Sequence, residues 1–322
     1  MLTKSLPNNS DLTSIKNDNN NTLLYYANIY FNIIVSGSSK ATEIARKNDL
    51  SKFISFFIEY TGKDFIDNWT PSVTKHFLIF LQEKNYKPAT INRALDSLRH
   101  FSKWLLKYRP LLAGSPFESV RNITQDSPLW NGLSSKQVMR LKMACEQRLN
   151  SCIRKNQDPL LEITIFSVLL ATGLREAELV SLNLSHYHSR GFHHVKRKGN
   201  IFTKKVPIPD EPKKYLDQYI LSQGITQPSQ AIFSKNGVRL STRAIRYICQ
   251  RISAHASLTL PDEEKFHLSP HMLRHTFLKR IADKHGIHIA QKMSGNASIS
   301  QIFRYSKPSQ DEIDNIAHNL NI

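Results

Sequence analysis

Residues 268–305 read LSPHMLRHTFLKRIADKHGIHIAQKMSGNASISQIFRY, and the predicted fold is built outward from this stretch. The dipeptide Ser269–Pro270 has the form of an N-cap followed by a first-turn proline, so a helix is expected to begin here. His271 and Arg274 follow three residues apart and therefore share one face of that helix. Together with the phenol of Tyr305, they supply the groups that covalent phosphoryl transfer requires: a nucleophile, an imidazole and a guanidinium.

A second motif, ATGLREAELVSL, occupies residues 171–182. Gly173 is expected to end an apolar helix that spans residues 158–170. Arg175 then opens a new amphipathic helix, at a helix mouth where backbone N–H groups favour an anion. The apolar positions of this second helix are Ala177, Leu179, Val180 and Leu182.

GLREAEL, HMLRH and a tyrosine 31 residues beyond Arg274 resemble the motifs of the tyrosine site-specific recombinases, the Xer and phage-integrase type. KRKGN at residues 196–200 is similar to the β-turn that carries the family's lysine, with Lys198 in that position and Lys196 as the alternative. The resemblance covers residues 39–322, and in the first half of the chain it rests on helix pattern alone. It implies a mainly α fold with a small β-sheet, in which a helical core-binding domain precedes a tyrosine-recombinase catalytic domain of the DNA breaking-rejoining fold.

The resemblance also implies a role for each motif residue. Tyr305 would attack a DNA phosphodiester, giving a 3′-phosphotyrosyl link and a free 5′-hydroxyl. Arg175 and Arg274 would hold the non-bridging oxygens and stabilise the transition state. His271 would act as acid and base. Because the bond energy is kept in the phosphotyrosine, the chemistry needs no ATP, metal or cofactor.

Three further positions complete the predicted site. Lys198 would protonate the leaving 5′-oxygen, and Glu178, one turn after Arg175, would support the site. Asn296 stands nine residues before Tyr305, where the family pattern usually has His or Trp. An Asn side chain can donate a hydrogen bond to phosphate but cannot shuttle a proton. We expect an active enzyme with Asn296 as a neutral donor; the alternative is a helix cap in a weakened or decayed site.

The chain carries a large excess of basic residues, which is spread along it and not concentrated in one tail. Its 322 residues include 44 Lys and Arg against 26 Asp and Glu, a net charge of +18. This surplus indicates a polyanionic partner, most simply double-stranded DNA. The three cysteines form no CxxC pair, and no stretch resembles a secretory signal or a membrane span. We therefore expect a protein of the bacterial cytoplasm or nucleoid, with no membrane partner.

Composition and helical periodicity divide the chain into segments. Residues 1–22, rich in Asn and Ser, are expected to be a flexible tail. Residues 23–110 form the predicted helical core-binding domain, which includes an aromatic helix at 23–35. Residues 111–133 contain Gly and Pro and form the predicted linker. Residues 134–322 form the catalytic domain, which ends in a short amphipathic exchange helix at 309–320.

Two predicted helices have a basic face that could contact DNA phosphates. One begins at Pro88 and the other spans residues 241–254. The basic residues proposed as contacts are Arg93, Arg99, Lys103, Arg243 and Arg246. Another apolar helix is predicted over residues 42–60, with Ile44 and Ile58 among its apolar positions, and a further one starts at Thr70–Pro71.

Several other functions use parts of the same pattern. A type IB topoisomerase-like enzyme would nick and close DNA with the same residues, and a decayed recombinase would only bind DNA. A metal-dependent nuclease is a third alternative. However, the histidines at 186, 188, 193 and 194 lack the spacing of a metal module, so no metal site is predicted. The preferred interpretation is strand exchange by a homo-tetramer on two paired DNA sites, alone or with a related recombinase.

Overall fold

The computed structural model describes residues 21–125, 132–152, 157–188, 190–197, 201–295 and 318. The chain divides into two compact units, Met1–Asp126 and Ser127–Ile322. Each unit has its own hydrophobic core. The architecture is mainly helical with two small sheets, as the sequence predicts. None of the helices in the described residues is long and apolar enough to span a membrane.

Four α-helices make up the described part of the first unit. They are α1 (Leu23–Tyr30), α2 (Lys40–Thr61), α3 (Pro71–Glu83) and α4 (Pro88–Tyr108). α1 continues into a π-helical turn at Phe31–Val35. The predicted helix starts are confirmed, because Thr70 caps α3 with its side chain and a proline occupies the first turn of both α3 and α4.

The core of the first unit is rich in aromatic rings. Trp69 is fully buried between Phe53 and Phe101, and its indole Nε1 donates to Thr74 Oγ1 at 3.0 Å. The predicted helix at residues 23–35 packs onto this core, with Leu23, Ala27, Tyr30 and Val35 buried. Two apolar positions of α2 were predicted wrongly to face the core. Ile44 and Ile58 are 60% and 40% exposed, because they lie on the outer side of the helix.

The segment after α4 packs against the first unit. Leu111 is buried in the same core. The side-chain amide of Asn92 donates to the carbonyl of Ile123 at 2.8 Å and accepts from its backbone N–H at 2.8 Å. Residues 111–125 are therefore fastened to α4. The division between the units follows them, inside the stretch that the composition marks as a linker.

The second unit contains the other α-helices and all the strands that the structure describes. Its described helices are α5 (Ser135–Ser151), α6 (Pro159–Thr172), α7 (Glu176–Val180), α8 (Asp210–Ser222), α9 (Thr242–Ala256), α10 (Pro270–His285) and α11 (Ile287–Ser294). Its strands are β1 (Tyr187–His188), β2 (Gly191–Lys196), β3 (Phe202–Pro207), β4 (Ser234–Lys235) and β5 (Val238–Arg239). The first three pair antiparallel in the order β1-β2-β3, and β4 pairs with β5.

Helix α6 is the centre of this unit, as its apolar sequence predicts. Nearly every residue of α6 from Leu161 to Thr172 is buried, and α5, α8, α9 and α10 all contact it. The helix ends at Gly173, which has a left-handed backbone with φ of +60°. The chain therefore turns sharply here: Leu174 stays buried in the core, and Arg175 begins the candidate site.

Candidate active site

Arg175 is held in place by a carboxylate one turn further along the chain. It is the N-cap of α7, as predicted, although this helix is only five residues long and its Ala177 is exposed. The Arg175 backbone N–H donates to Glu178 Oε2 at 2.9 Å, and Arg175 Nη1 donates to Oε1 at 2.7 Å. The Glu178 side chain is 4% exposed, whereas that of Arg175 is 28% exposed. Glu178 thus orients a guanidinium that still reaches solvent.

Arg274 approaches the same loop from α10. Its side chain is buried, and Nη1 donates to the carbonyl oxygen of Gly173, two residues before Arg175. Nη2 donates to the carbonyl oxygen of Ser294, at the end of α11, at 2.9 Å. The backbone thus fixes Arg274 from two elements. The structure brings the two predicted arginines together around the turn that follows α6.

His271 lies one helical turn before Arg274 and is half-buried. Burial, and then the positive charges of Arg274 and Arg175, hold the pKa of His271 below its usual 6.5. Its Nε2 lies 2.7 Å from Nε2 of His275. Burial and the neighbouring His271 lower the pKa of His275 to about 4. Both imidazoles are therefore neutral near pH 7, and a neutral imidazole can accept a proton.

Arg197 is a site residue that the motif analysis did not identify. It follows the last residue of β2, its side chain is fully buried, and Nη1 donates to Glu178 Oε2 at 2.5 Å. Its Nε donates to Thr203 Oγ1 on β3 at 2.9 Å. The sequence carried a signal for this placement, because apolar Val195 followed by charged Lys196 fits strand alternation and puts residue 197 on the inner face.

Three predicted catalytic residues, Lys198, Asn296 and Tyr305, lie outside the described residues, as does nearly all of the predicted exchange helix at 309–320. The residues directly before Lys198 and Asn296, which are Arg197 and Gly295, are described and lie against each other. A Cβ on Gly295 would lie 2.8 Å from Nε of Arg197. The chain positions that precede Lys198 and Asn296 are therefore in contact beside Glu178.

Four of the five basic residues predicted to contact DNA have partners within the protein. In the first unit, Arg93 forms an ion pair with buried Asp49 at 2.8 Å, and Arg99 pairs with Asp96 at 2.5 Å. Lys103 is exposed.

The second unit shows the same pattern. Arg246 forms an ion pair with Glu176, and Arg243 donates to the hydroxyl of Tyr247 at 2.9 Å. These pairs give the four arginines a role within the fold, and their contact with DNA stays a prediction.

Residues 133–312 match the model of the phage integrase family. The chain belongs to the phage integrase family. Xer tyrosine recombinases from several bacteria are similar to this chain over most of its length. The tyrosine recombinase XerD of Pseudomonas putida is 30% identical over 280 residues, which cover 82% of this chain and 85% of that protein. The tyrosine recombinase XerC of Treponema denticola is 28% identical over 86% of this chain and 92% of that protein. The tyrosine recombinase XerD of Oceanobacillus iheyensis is 27% identical over 84% of this chain and 89% of that protein.

Solved structures of integrases share the fold. The Tn1549 transposon integrase in complex with transposon right end DNA has a TM-score of 0.72 and 18% identity, over 94% of this chain and all of that one. A lambda integrase dimer bound to a COC′ core site has a TM-score of 0.68 and 15% identity, over 95% and 82%. At this identity the similarity establishes the architecture, which agrees with the predicted fold class.

Proposed function

We propose that this chain is a site-specific recombinase that exchanges DNA strands through a 3′-phosphotyrosyl intermediate. Because the chain belongs to the phage integrase family, one observation is enough to support this proposal. Arg274 donates to the carbonyl of Gly173, and Glu178 holds Arg175 two residues beyond it. Two guanidinium groups fixed around one turn are suited to bind the two non-bridging oxygens of a phosphodiester.

The proposed cleavage step transfers the DNA phosphoryl group from the 5′-oxygen to the tyrosine oxygen. The oxygen of Tyr305 attacks phosphorus, and the bond from phosphorus to the 5′-oxygen breaks. Neutral His271 accepts the phenolic proton, directly or through water, because its lowered pKa leaves it unprotonated near pH 7. Arg175 and Arg274 stabilise the charge that develops on the non-bridging oxygens.

Two more residues complete the proposed reaction. Lys198 donates a proton to the departing 5′-oxygen, and Asn296 donates a hydrogen bond to the phosphate. In the second step a 5′-hydroxyl from the partner strand attacks the phosphotyrosine and releases Tyr305. One ester replaces another of similar energy, so the reaction as proposed uses no ATP, metal or other cofactor.

The proposed partner is double-stranded DNA, which is consistent with the net charge of +18. The Tn1549 transposon integrase and the lambda integrase described above were solved on DNA, the lambda integrase as a dimer. Because strand exchange pairs two DNA sites, we propose that the protein forms a homo-tetramer when the sites are paired. It would act alone or with a related recombinase, in the bacterial cytoplasm or nucleoid. We also propose residues 23–110 as the core-binding domain and 134–322 as the catalytic domain.

The decisive test is the covalent adduct. Wild-type protein is incubated in EDTA with a nicked suicide duplex that carries the sequence it selects from random DNA, and SDS-resistant protein–DNA complexes are measured. We expect an adduct from wild type and none from Tyr305→Phe, which should bind the duplex with unchanged affinity. A wild-type level of adduct from Tyr305→Phe would remove Tyr305 as the nucleophile.

The same assay separates the alternatives. A decayed recombinase would bind the duplex without any adduct, and a metal-dependent nuclease would cut only when the metal is restored. A type IB topoisomerase-like enzyme would form the adduct but only relax a two-site plasmid. The proposed recombinase should yield exchanged products from that plasmid.

A further inference from the structure

Glu178 is a buried carboxylate held between two arginines. Oε1 accepts from Arg175 Nη1, while Oε2 accepts from the Arg175 backbone N–H and from Arg197 Nη1. The two arginines differ in exposure, because the Arg197 side chain is 0% exposed and that of Arg175 is 28% exposed. One arginine therefore neutralises the carboxylate from inside the protein, and the other faces the candidate phosphate site.

The charges of this trio determine what a phosphate would meet. Arg175 and Glu178 alone sum to zero, so an approaching phosphodiester would face an arginine whose charge its own carboxylate cancels. With Arg197 the sum is +1. Charges this close and this little exposed to water are weakly screened, so the pairing of Arg197 with Glu178 decides how much of the Arg175 charge a phosphate meets.

Packing alone gives a poor account of an arginine at this position. Although Arg197 Nη2 is buried, no described residue offers it a hydrogen-bond acceptor. A buried donor without a partner is destabilising. Gly295, which lies against the Arg197 side chain, leaves no room for a side chain of its own there. The contacts that account for an arginine at this position are therefore those that its other nitrogens make with Glu178 and Thr203.

We propose that Arg197 is a positioning residue for the recombination reaction, an inference that rests on the function proposed above. Its guanidinium neutralises Glu178, so that Arg175 keeps a net positive charge toward the scissile phosphate. It also ties the end of β2, next to Lys198, to the helix that begins at Arg175. The end of β2 at Arg197 and the side chain of Arg175 are thereby held together through Glu178.

The test measures the single-turnover rate of adduct formation at saturating suicide duplex, well below the melting temperature of each variant. We expect Arg197→Gln to slow this rate by about tenfold or more, since it weakens a transition-state donor indirectly. Arg197→Lys keeps the charge and should restore the rate to within about threefold of wild type. The affinity for intact duplex should change by less than about threefold, because the other basic residues remain.

A double-mutant cycle tests whether Arg197 acts through Glu178. The bare charge of Arg197 would act on the phosphate equally in either background, whereas its hold on the Glu178 carboxylate is lost once residue 178 is an amide. In a Glu178→Gln background, Arg197→Gln should therefore change the rate by less than about twofold. An equal loss in both backgrounds would overturn the proposal.

The chain offers a matched control in a second trio of the same kind. Buried Glu162 accepts from Arg148 Nε at 2.7 Å and lies 2.8 Å from Arg251 Nε. Arg148→Gln should lower the melting temperature as Arg197→Gln does, because each removes one partner of a buried ion pair. It should leave the adduct rate of the folded protein unchanged.

Three further results would overturn the proposal in different ways. A wild-type rate in Arg197→Gln removes Arg197 from the site while the recombinase function stands. An equal slowing in Arg148→Gln means that the loss reflects general destabilisation. Failure of the wild-type protein to form any adduct removes the recombinase function, and the role of Arg197 with it.

Discussion

Arg175 and Arg274 are held by different partners, and a lysine could replace neither. Arg274 donates through two nitrogens to the carbonyls of Gly173 and Ser294, and Arg175 pairs with Glu178. An ammonium lacks the planar fork that makes such contacts and grips phosphate oxygens as well. We expect Arg175→Lys and Arg274→Lys each to slow adduct formation by about a hundredfold or more, with a much smaller loss of DNA affinity. Near-normal rates in both variants would make these arginines structural.

The pKa of His271 predicts the pH dependence of cleavage. Burial and the charges of Arg274 and Arg175 lower this pKa from 6.5, so the neutral base persists to lower pH than usual. Cleavage should fall as the imidazole becomes protonated, and the acid limb of the pH–rate profile should therefore have its midpoint below pH 6.5. The adduct rate is measured from pH 4.5 upward, with His271→Gln as the control that lacks this limb. A wild-type midpoint at or above 6.5 would be inconsistent with the site described.

At the scale of the elements, the end of α6 depends on a close approach between two helices. Gly173 has φ of +60°, and a Cβ there would collide with the ring of Phe277 on α10. Gly224 offers a matched comparison, since it ends α8 with φ of +61° and has open space around it. Only the first glycine is required by both backbone and packing.

We therefore expect Gly173→Ala to destabilise the protein more than Gly224→Ala. The strained backbone costs about 1 kcal/mol in either variant. Overpacking against Phe277 adds about 1–3 kcal/mol in Gly173→Ala alone. Urea denaturation measures both losses. Gly173→Ala should also slow adduct formation, because the carbonyl of Gly173 holds Arg274. Equal losses of stability would show that the contact with Phe277 relaxes without cost.

Helix boundaries could be predicted because each depends on residues that are close in sequence. Ser269 accepts from the backbone N–H of Met272, and Pro270 occupies the first turn of α10, as their order predicts. The start of α4 at Pro88 was predicted for the same reason, because a first-turn proline acts within its own helix.

Contacts across the fold could not be predicted in this way. Glu178 joins Arg197 across 19 residues, and Arg93 meets buried Asp49 across 44. The strand pattern indicates that Arg197 faces inward, but only the tertiary fold identifies the carboxylate it meets. Likewise, the sequence of α4 shows a basic outer face, while the ion pair of Arg93 with Asp49 on α2 and the hydrogen bond from Arg99 to Asn122 after α4 become visible only in the tertiary fold.

At the scale of the molecule, the positive charge is unevenly divided between the two units. Residues 127–322 contain 28 Lys and Arg against 15 Asp and Glu, a surplus of 13 out of the total of 18. Electrostatic attraction to DNA is therefore concentrated in the unit that holds the candidate site. The final segment of the same unit has the opposite character, since residues 309–322 contain three acidic residues and no Lys or Arg.

This contrast makes the C-terminal segment a clean test of assembly. Residues 309–320 are predicted to form an amphipathic helix whose apolar face is too small to fold alone, so it must dock on its own unit or on a neighbouring subunit. Cutting the chain after Pro308 removes three acidic residues and no Lys or Arg, so electrostatic binding to one DNA site should not weaken. If the segment docks on a neighbour, the truncated protein should bind a single site normally and lose cooperative pairing of two sites. Gel-shift titration on one-site and two-site duplexes measures both, and sedimentation should show a monomer without DNA. Cooperativity equal to that of the full chain would place the segment on its own subunit.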